Sequence, residues 1–226
     1  NQKFYSNNFT VDIYVHESMQ TYLGVTKDDI EDLATEWNNA GSYLQFSMHS
    51  GGAGSILTDD EINIIGADHY NPLEADYFKC ALNFDDDNCS NAAFTVGYFW
   101  SPAGDCDSWD EPSIKGADVI INSQREPGTS EKYISILTDQ CGNRKIARYD
   151  LKRVLLHELG HVAGIHHYPV FSIGDVMVDG LQPGDCQRYL SQKDKAAIQR
   201  LYSEDEDQIS SIPCSTFVVT PYDKLK

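Results

Sequence analysis

Residues 157–167 read His-Glu-Leu-Gly-His-Val-Ala-Gly-Ile-His-His. Five of them, His157, Glu158, His161, Gly164 and His167, occupy the spacing H-E-x-x-H-x-x-G-x-x-H. Positions four apart share one face of an α-helix, so His157 and His161 can present two imidazoles to one metal ion. Glu158 adjoins the first of them and can reach a water on that metal without being a ligand itself. Gly164 can adopt positive φ, which ends the helix and turns the chain sharply. After that turn His167 can swing back as a third nitrogen ligand. Three protein ligands and one open position make the pattern of catalytic rather than structural zinc. With 7 His and 16 Gly in 226 residues, the five fixed positions match by chance about 10⁻⁵ times per chain. A helix that merely carries buried histidines is therefore a poor account, and three packed rings without a metal would need other polar partners. His166 also follows the turn, but the spacing selects His167 and leaves His166 as a neighbouring or exposed side chain.

The elements that must position these residues can be read from periodicity. Phe9, Val11, Ile13 and Val15 alternate with polar neighbours, which predicts a half-buried strand over 9–16. Thr26, with Asp29 three residues later, opens a helix whose Ile30, Leu33, Ala34 and Trp37 share one face, and Asn38–Gly41 ends it. Leu44 and Phe46 resume a strand, Gly51, Gly52 and Gly54 mark a turn, and Glu61–Ile65 forms another short strand. Residues 66–92 read as loop, followed by strands at Phe94–Trp100 and Ile114–Asn122. Helices are expected over about 149–163 and 191–202. The second opens on Ser191 and Asp194 in cap spacing and turns Ala197, Ile198, Leu201 and Tyr202 inward. Strand, helix, several strands and then two helices predict an α+β fold, an α/β sandwich of one sheet with few helices.

The extended histidine motif resembles that of the metzincin metallopeptidases, whose further hallmark is a methionine in a tight turn beneath the zinc. Met177, in Gly174-Asp175-Val176-Met177, stands ten residues after His167 and matches it. Within that clan the chain is most similar to the matrixins, the matrix-metalloproteinase-like branch. Three segments carry the likeness: Ala117–Asn122, Leu155–His167, and Leu190-Ser191 through Ala197–Tyr202. It departs from the matrixins after the methionine, where Val178, Asp179 and Gly180 replace the usual Pro-x-Tyr wall of the specificity pocket. Asp179 also stands where astacin-like enzymes carry a zinc-linked Tyr. His49 and His69 lack the spacing of a second, structural zinc site.

The resemblance implies a zincin with a twisted mixed sheet, a catalytic helix, and a smaller C-terminal subdomain closed by a helix. Residues 1–226 would form one catalytic domain, with an upper part to about 164 and a lower part over about 165–226. One Zn²⁺ would be held by His157, His161 and His167, with Met177 as the structural methionine, and the substrate would be a protein or peptide. Glu158 would act as general base toward the attacking water and then pass its proton to the leaving amine. By analogy with the family, an extended substrate would add antiparallel to the strand carrying Ala93, Phe94, Thr95 and Val96. Asp85–Asp87 offer oxygen ligands for Ca²⁺ as a second cofactor, although they lack EF-hand spacing. Glu204–Asp207 reads as surface tail. Competing readings are a metzincin outside the matrixins, a silent zinc-binding interaction domain, and hydrolysis of a non-peptide amide or ester.

Composition sets the setting. The 226 residues fit one domain with a sizeable core. A formal charge of −18 repels phosphate backbones and disfavours a nucleic-acid partner. No apolar run approaches the ~20 residues of a membrane helix, and a monomer is expected. The N-terminal Asn-Gln-Lys has no leader pattern, which reads as a processed form. Six dispersed cysteines without a CxxC pair predict three disulfides and a secreted, extracellular or periplasmic protein. Nearness in sequence favours Cys80–Cys89, Cys106–Cys141 and Cys186–Cys214. Asn8-Phe9-Thr10 and Asn88-Cys89-Ser90 match the glycosylation acceptor pattern.

Overall fold

Alternation of buried Val11, Ile13 and Val15 with more exposed neighbours builds strand β2 (Thr10–Val15), close to the expected span. The computed structural model describes residues 3–4, 10–51, 62–67, 93–100, 113–123, 134–137, 141–142, 148–168 and 174–202. In chain order, β1 (Lys3–Phe4) and β2 lead through a π-helical turn (Met19–Leu23) to α1 (Lys27–Asn38) and β3 (Gln45–Ser50). Strands β4 (Ile62–Ala67), β5 (Ala93–Trp100) and β6 (Ser113–Asn122) follow. Two-residue strands β7 (Ile134–Ser135) and β8 (Tyr149–Asp150) then precede α2 (Leu151–Val162) and, finally, α3 (Gln192–Leu201).

The fold is α+β, as expected, around one mixed six-stranded sheet, while β7 and β8 pair with each other in a separate two-stranded sheet. The order of the larger sheet is β3-β2-β4-β6, all parallel, with β5 antiparallel on the far side of β6 and β1 paired to the start of β6. Helix α1 supplies the crossover that parallel β2 and β3 require. Strand β6 is buried from Ala117 through Asn122, and its consecutive apolar Val119, Ile120 and Ile121 fit a strand covered on both faces. Trp37 of α1 is buried and donates its indole N–H to the Leu156 carbonyl of α2 at 3.0 Å. Helix α3 closes the structure. Its Gln199 amide donates to Ala40 O (2.6 Å), and the Tyr202 hydroxyl donates to Ala163 O (3.1 Å) at the end of α2. No helix among the described residues is long and apolar enough to cross a membrane.

The cysteine pairing differs from expectation. Cys141 is bonded to Cys186, with Cα atoms 5.4 Å apart, so neither Cys106–Cys141 nor Cys186–Cys214 forms. The reason is tertiary: the segment at 141–142 runs beside 184–186, with Gly142 N donating to Gly184 O at 2.8 Å. Nearness along the chain does not register that approach. Cys80, Cys89, Cys106 and Cys214 lie outside the described residues, as do His69, Asp85–Asp87, the glycosylation patterns' Asn8 and Asn88, and Glu204–Asp207. The Cys141–Cys186 bond closes a loop of sequence separation 45. Its removal in the double variant Cys141→Ser/Cys186→Ser is expected to lower unfolding stability by about 3 kcal/mol through the freed unfolded chain. Urea unfolding of the two proteins measures this, and equal midpoints would contradict it.

Candidate metal centre and active site

Helix α2 starts where Asp150 accepts from Arg153 N at 3.1 Å, giving the helix its N-cap. Asp150 is itself held, because Leu137 N and the Arg188 guanidinium donate to its carboxylate. The helix ends on Gly164, whose φ of 82° is left-handed. There Gly164 N donates to His161 O at 2.8 Å and Ile165 N to Gly160 O at 2.9 Å. That bond pair is the Schellman closure glycine permits, and it turns the chain back toward the helix as the spacing predicted.

The turn delivers His167. Its Nε2 lies 3.0 Å from His157 Nε2 and 3.1 Å from His161 Nε2, and ligand atoms of the three rings all lie within 4.8 Å of one another. The two helix rings are held from behind, His157 Nδ1 on Val176 O at 2.7 Å and His161 Nδ1 on Ile165 O at 2.8 Å. A carbonyl oxygen only accepts, so both Nδ1 atoms carry protons and each neutral ring turns an unprotonated Nε2 inward. A proton on His167 Nε2 satisfies one inward lone pair well, whereas a cation satisfies all three. Nitrogens held tetrahedrally at the 2.0–2.1 Å of a zinc–imidazole bond lie about 3.3 Å apart, near the spacing found. The donor set therefore fits a zinc ion. His157 is fully buried and the other two are partly exposed, so the meeting point is open on one side. His166 is outside the cluster and half-buried, and that burial lowers its imidazole pKa.

Glu158 is 1% exposed. It is not part of the histidine cluster, and the Thr95 hydroxyl of β5 lies 2.5 Å from its Oε2. Thr95 thus reaches inward to the glutamate, with Ala93 also buried. Strand β5, which carries Ala93–Val96, pairs only with β6 among the described residues, so it is an edge strand there.

Met177 is fully buried beneath the helix. A Cβ placed on Gly160 would stand 2.2 Å from Met177 Sδ, so the glycine inside the histidine motif makes room for the methionine. The 175–177 peptides are gripped from two sides. Asp194, fully buried at the start of α3, accepts from Val176 N (2.8 Å) and Met177 N (3.2 Å). It also accepts from Ser191 N and the Tyr168 hydroxyl. Burial, reinforced by the Asp194 carboxylate, pushes the Tyr168 phenol far above its ordinary range and keeps it a donor. On the carbonyl side stands Arg153. Spacing alone marked neither Gly160 nor Arg153 for these roles, and it marked Asp194 only as a helix cap.

The Matrixin family model matches residues 37–203, a span that holds α2, the histidine cluster, Met177 and α3. No curated protein matches the chain. A match over most of the chain, on a structure in which the motif's histidines converge, establishes that this protein belongs to the matrixin family and is a zinc metalloendopeptidase.

Proposed function

We propose that the protein is a secreted endopeptidase whose zinc is held by His157, His161 and His167, with Glu158 as general base. The observation that carries this is the convergence of three imidazole nitrogens, two of them with their other ring proton committed to carbonyls, beside a buried glutamate. Zinc, when bound there, supplies a Lewis acid that polarises the scissile carbonyl and makes water acidic enough to ionise near neutral pH. Glu158 takes a proton from the attacking water and delivers it to the leaving amine as the C–N bond breaks. Thr95 holds the glutamate by a hydroxyl hydrogen bond. Met177 supports the histidines from below, and Gly164 provides the turn that brings in His167.

An extended peptide is bound by strand addition along β5, the edge strand that also carries Thr95. Secretion accords with the Cys141–Cys186 disulfide, which persists in oxidising compartments. The domain is one catalytic unit over residues 1–226, divided into an upper part to about 164 and a lower part beyond it. The protein acts as a monomer. Calcium at Asp85–Asp87 is a secondary proposal resting on their oxygen-rich run.

The test is cleavage of a diverse peptide mixture read by mass spectrometry, with Glu158→Ala as the control. Cuts made only by the unaltered protein support the proposal. An absence of cuts in both, with zinc confirmed in the protein, overturns a general endopeptidase in favour of a silent binder or a non-peptide substrate. Thr95 gives a finer prediction. Thr95→Val, isosteric but without the hydroxyl, is expected to lower kcat about 10-fold with little change in KM, because the base is no longer held in place. Thr95→Ser should restore most of the loss. Steady-state kinetics on a peptide cut by the unaltered protein checks both.

A further inference from the structure

Arg153 stands one helical turn before His157 on α2 and is 2% exposed. A buried guanidinium needs partners for its donors and its charge, and those found here lie beyond His167 in sequence. Its two terminal nitrogens donate to main-chain carbonyls, Nη1 to Val176 O at 3.1 Å and Nη2 to Asp175 O at 3.1 Å. Its Nε lies 3.3 Å from Asp185 Oδ2. Val176 O is the same oxygen that accepts from His157 Nδ1 at 2.7 Å. One carbonyl is thus shared by an arginine and a candidate zinc-ligating histidine.

We infer that Arg153 is a positioning residue for the metal centre: by fixing the Val176 carbonyl, it sets the ring orientation and tautomer of His157. The inference rests on the reading of the three histidines as zinc ligands. A carbonyl oxygen has two lone pairs, so the guanidinium and the imidazole use it together. The planar fork of arginine suits two adjacent carbonyls in a way a single ammonium does not. Asp185 holds the fork from its third side and sits next to Cys186 of the disulfide. When the fork is removed, the Asp175 carbonyl loses its arginine donor, the Val176 carbonyl keeps only His157, and the turn can rotate. His157 then loses a fixed acceptor, and Nε2 is no longer aimed at the position shared with His161 and His167. Loss of such an outer partner typically weakens metal binding by about 10–100-fold.

The experiment measures zinc affinity by competition with a chromophoric chelator, and the visible absorption of the Co²⁺-substituted protein. It compares the unaltered protein with Arg153→Met, Arg153→Lys and Asp185→Asn. Arg153→Met is expected to bind zinc about 10–100-fold more weakly and to show an altered Co²⁺ band. Arg153→Lys is expected to recover only part of the affinity. Asp185→Asn, which leaves both carbonyl bonds in place, is expected to cause the smallest change. Far-UV circular dichroism establishes that each variant is folded. If Arg153→Met does not fold, Arg153→Lys and Asp185→Asn decide the matter by their order. A folded Arg153→Met protein, or the lysine variant in its place, with unaltered zinc affinity and Co²⁺ band overturns the inference and leaves the zinc reading standing. Failure of the unaltered protein to bind Zn²⁺ or Co²⁺ overturns the zinc reading itself.

Discussion

Glu158→Gln and Glu158→Ala are expected to retain zinc while losing peptide cleavage by about 10²–10⁴-fold, the range a general base contributes. The separation of binding from turnover follows from geometry. Glu158 is adjacent to His157 in sequence but outside the cluster of converging nitrogens, and its carboxylate is engaged by Thr95 at 2.5 Å. Gln is the cleaner substitution, since its side-chain oxygen can still accept from the Thr95 hydroxyl and its volume fills the same buried space. Ala leaves a void at a residue only 1% exposed and adds a stability cost to the catalytic one. His161→Ala should behave in the opposite way. Removing a nitrogen 3.1 Å from His167 Nε2 leaves two ring donors, and zinc affinity should fall about 100-fold or more, beyond the effect of losing an outer partner. Metal content after dialysis against a zinc buffer, measured beside peptide cleavage, separates the two outcomes. Unaltered turnover in Glu158→Gln would remove the base assignment. Unaltered zinc affinity in His161→Ala would remove the ligand set.

The contrast between what spacing revealed and what it did not follows the range of the interactions. The histidine helix was legible because an i, i+4 pair depends only on helical pitch, and Gly164 because positive φ is a property of one residue. Choosing His167 over His166 also needed only the length of the turn. The cap at Ser191 was legible for the same reason, and the structure shows it with Asp194 N donating to Ser191 Oγ at 3.1 Å. Arg153 was not legible. In sequence it is half of a Lys-Arg pair near a helix start, indistinguishable from a solvated charge, and its partners lie 22, 23 and 32 residues away. Gly160 resembles any helical glycine until Met177 is packed on it. The disulfide pairing was not legible for the same reason, since closeness along the chain is a weak guide to closeness in space when a helix and the turn after it fold Cys186 back onto Cys141. The π-helical turn at Met19–Leu23 had no periodic signal, being only five residues long. Local rules thus recovered the helices, most of the strands and the spacing that brings the three histidines together, whereas the contacts that brace those histidines are nonlocal.

Asp194 is where that nonlocal bracing should be most costly to remove. Its Oδ2 accepts from Val176 N at 2.8 Å and Ser191 N at 2.9 Å, and its Oδ1 from the Tyr168 hydroxyl at 3.0 Å and Met177 N at 3.2 Å. Four donors from three segments meet on one carboxylate that is fully buried. Asp194→Ala orphans three main-chain N–H groups and a phenol. At roughly 1–3 kcal/mol for each buried unsatisfied group, partly relieved by entering water, the loss of stability should be on the order of 4–5 kcal/mol. Asp194→Asn is nearly isosteric yet should recover little. Whichever oxygen becomes NH₂ then faces two donors and can accept from neither. For a chain of this size each kcal/mol moves Tm by about 2–4 °C, so a drop of roughly 10 °C or more is expected for Asp194→Ala. The comparison should be made with zinc removed from both proteins, because a bound metal stabilises the folded state by mass action and would mix affinity with stability. A metal-free Asp194→Ala protein that unfolds within about 1 kcal/mol of the unaltered one would show that water replaces the carboxylate without strain. In that case the turn carrying Val176 and Met177 would be held chiefly from its carbonyl side, by Arg153.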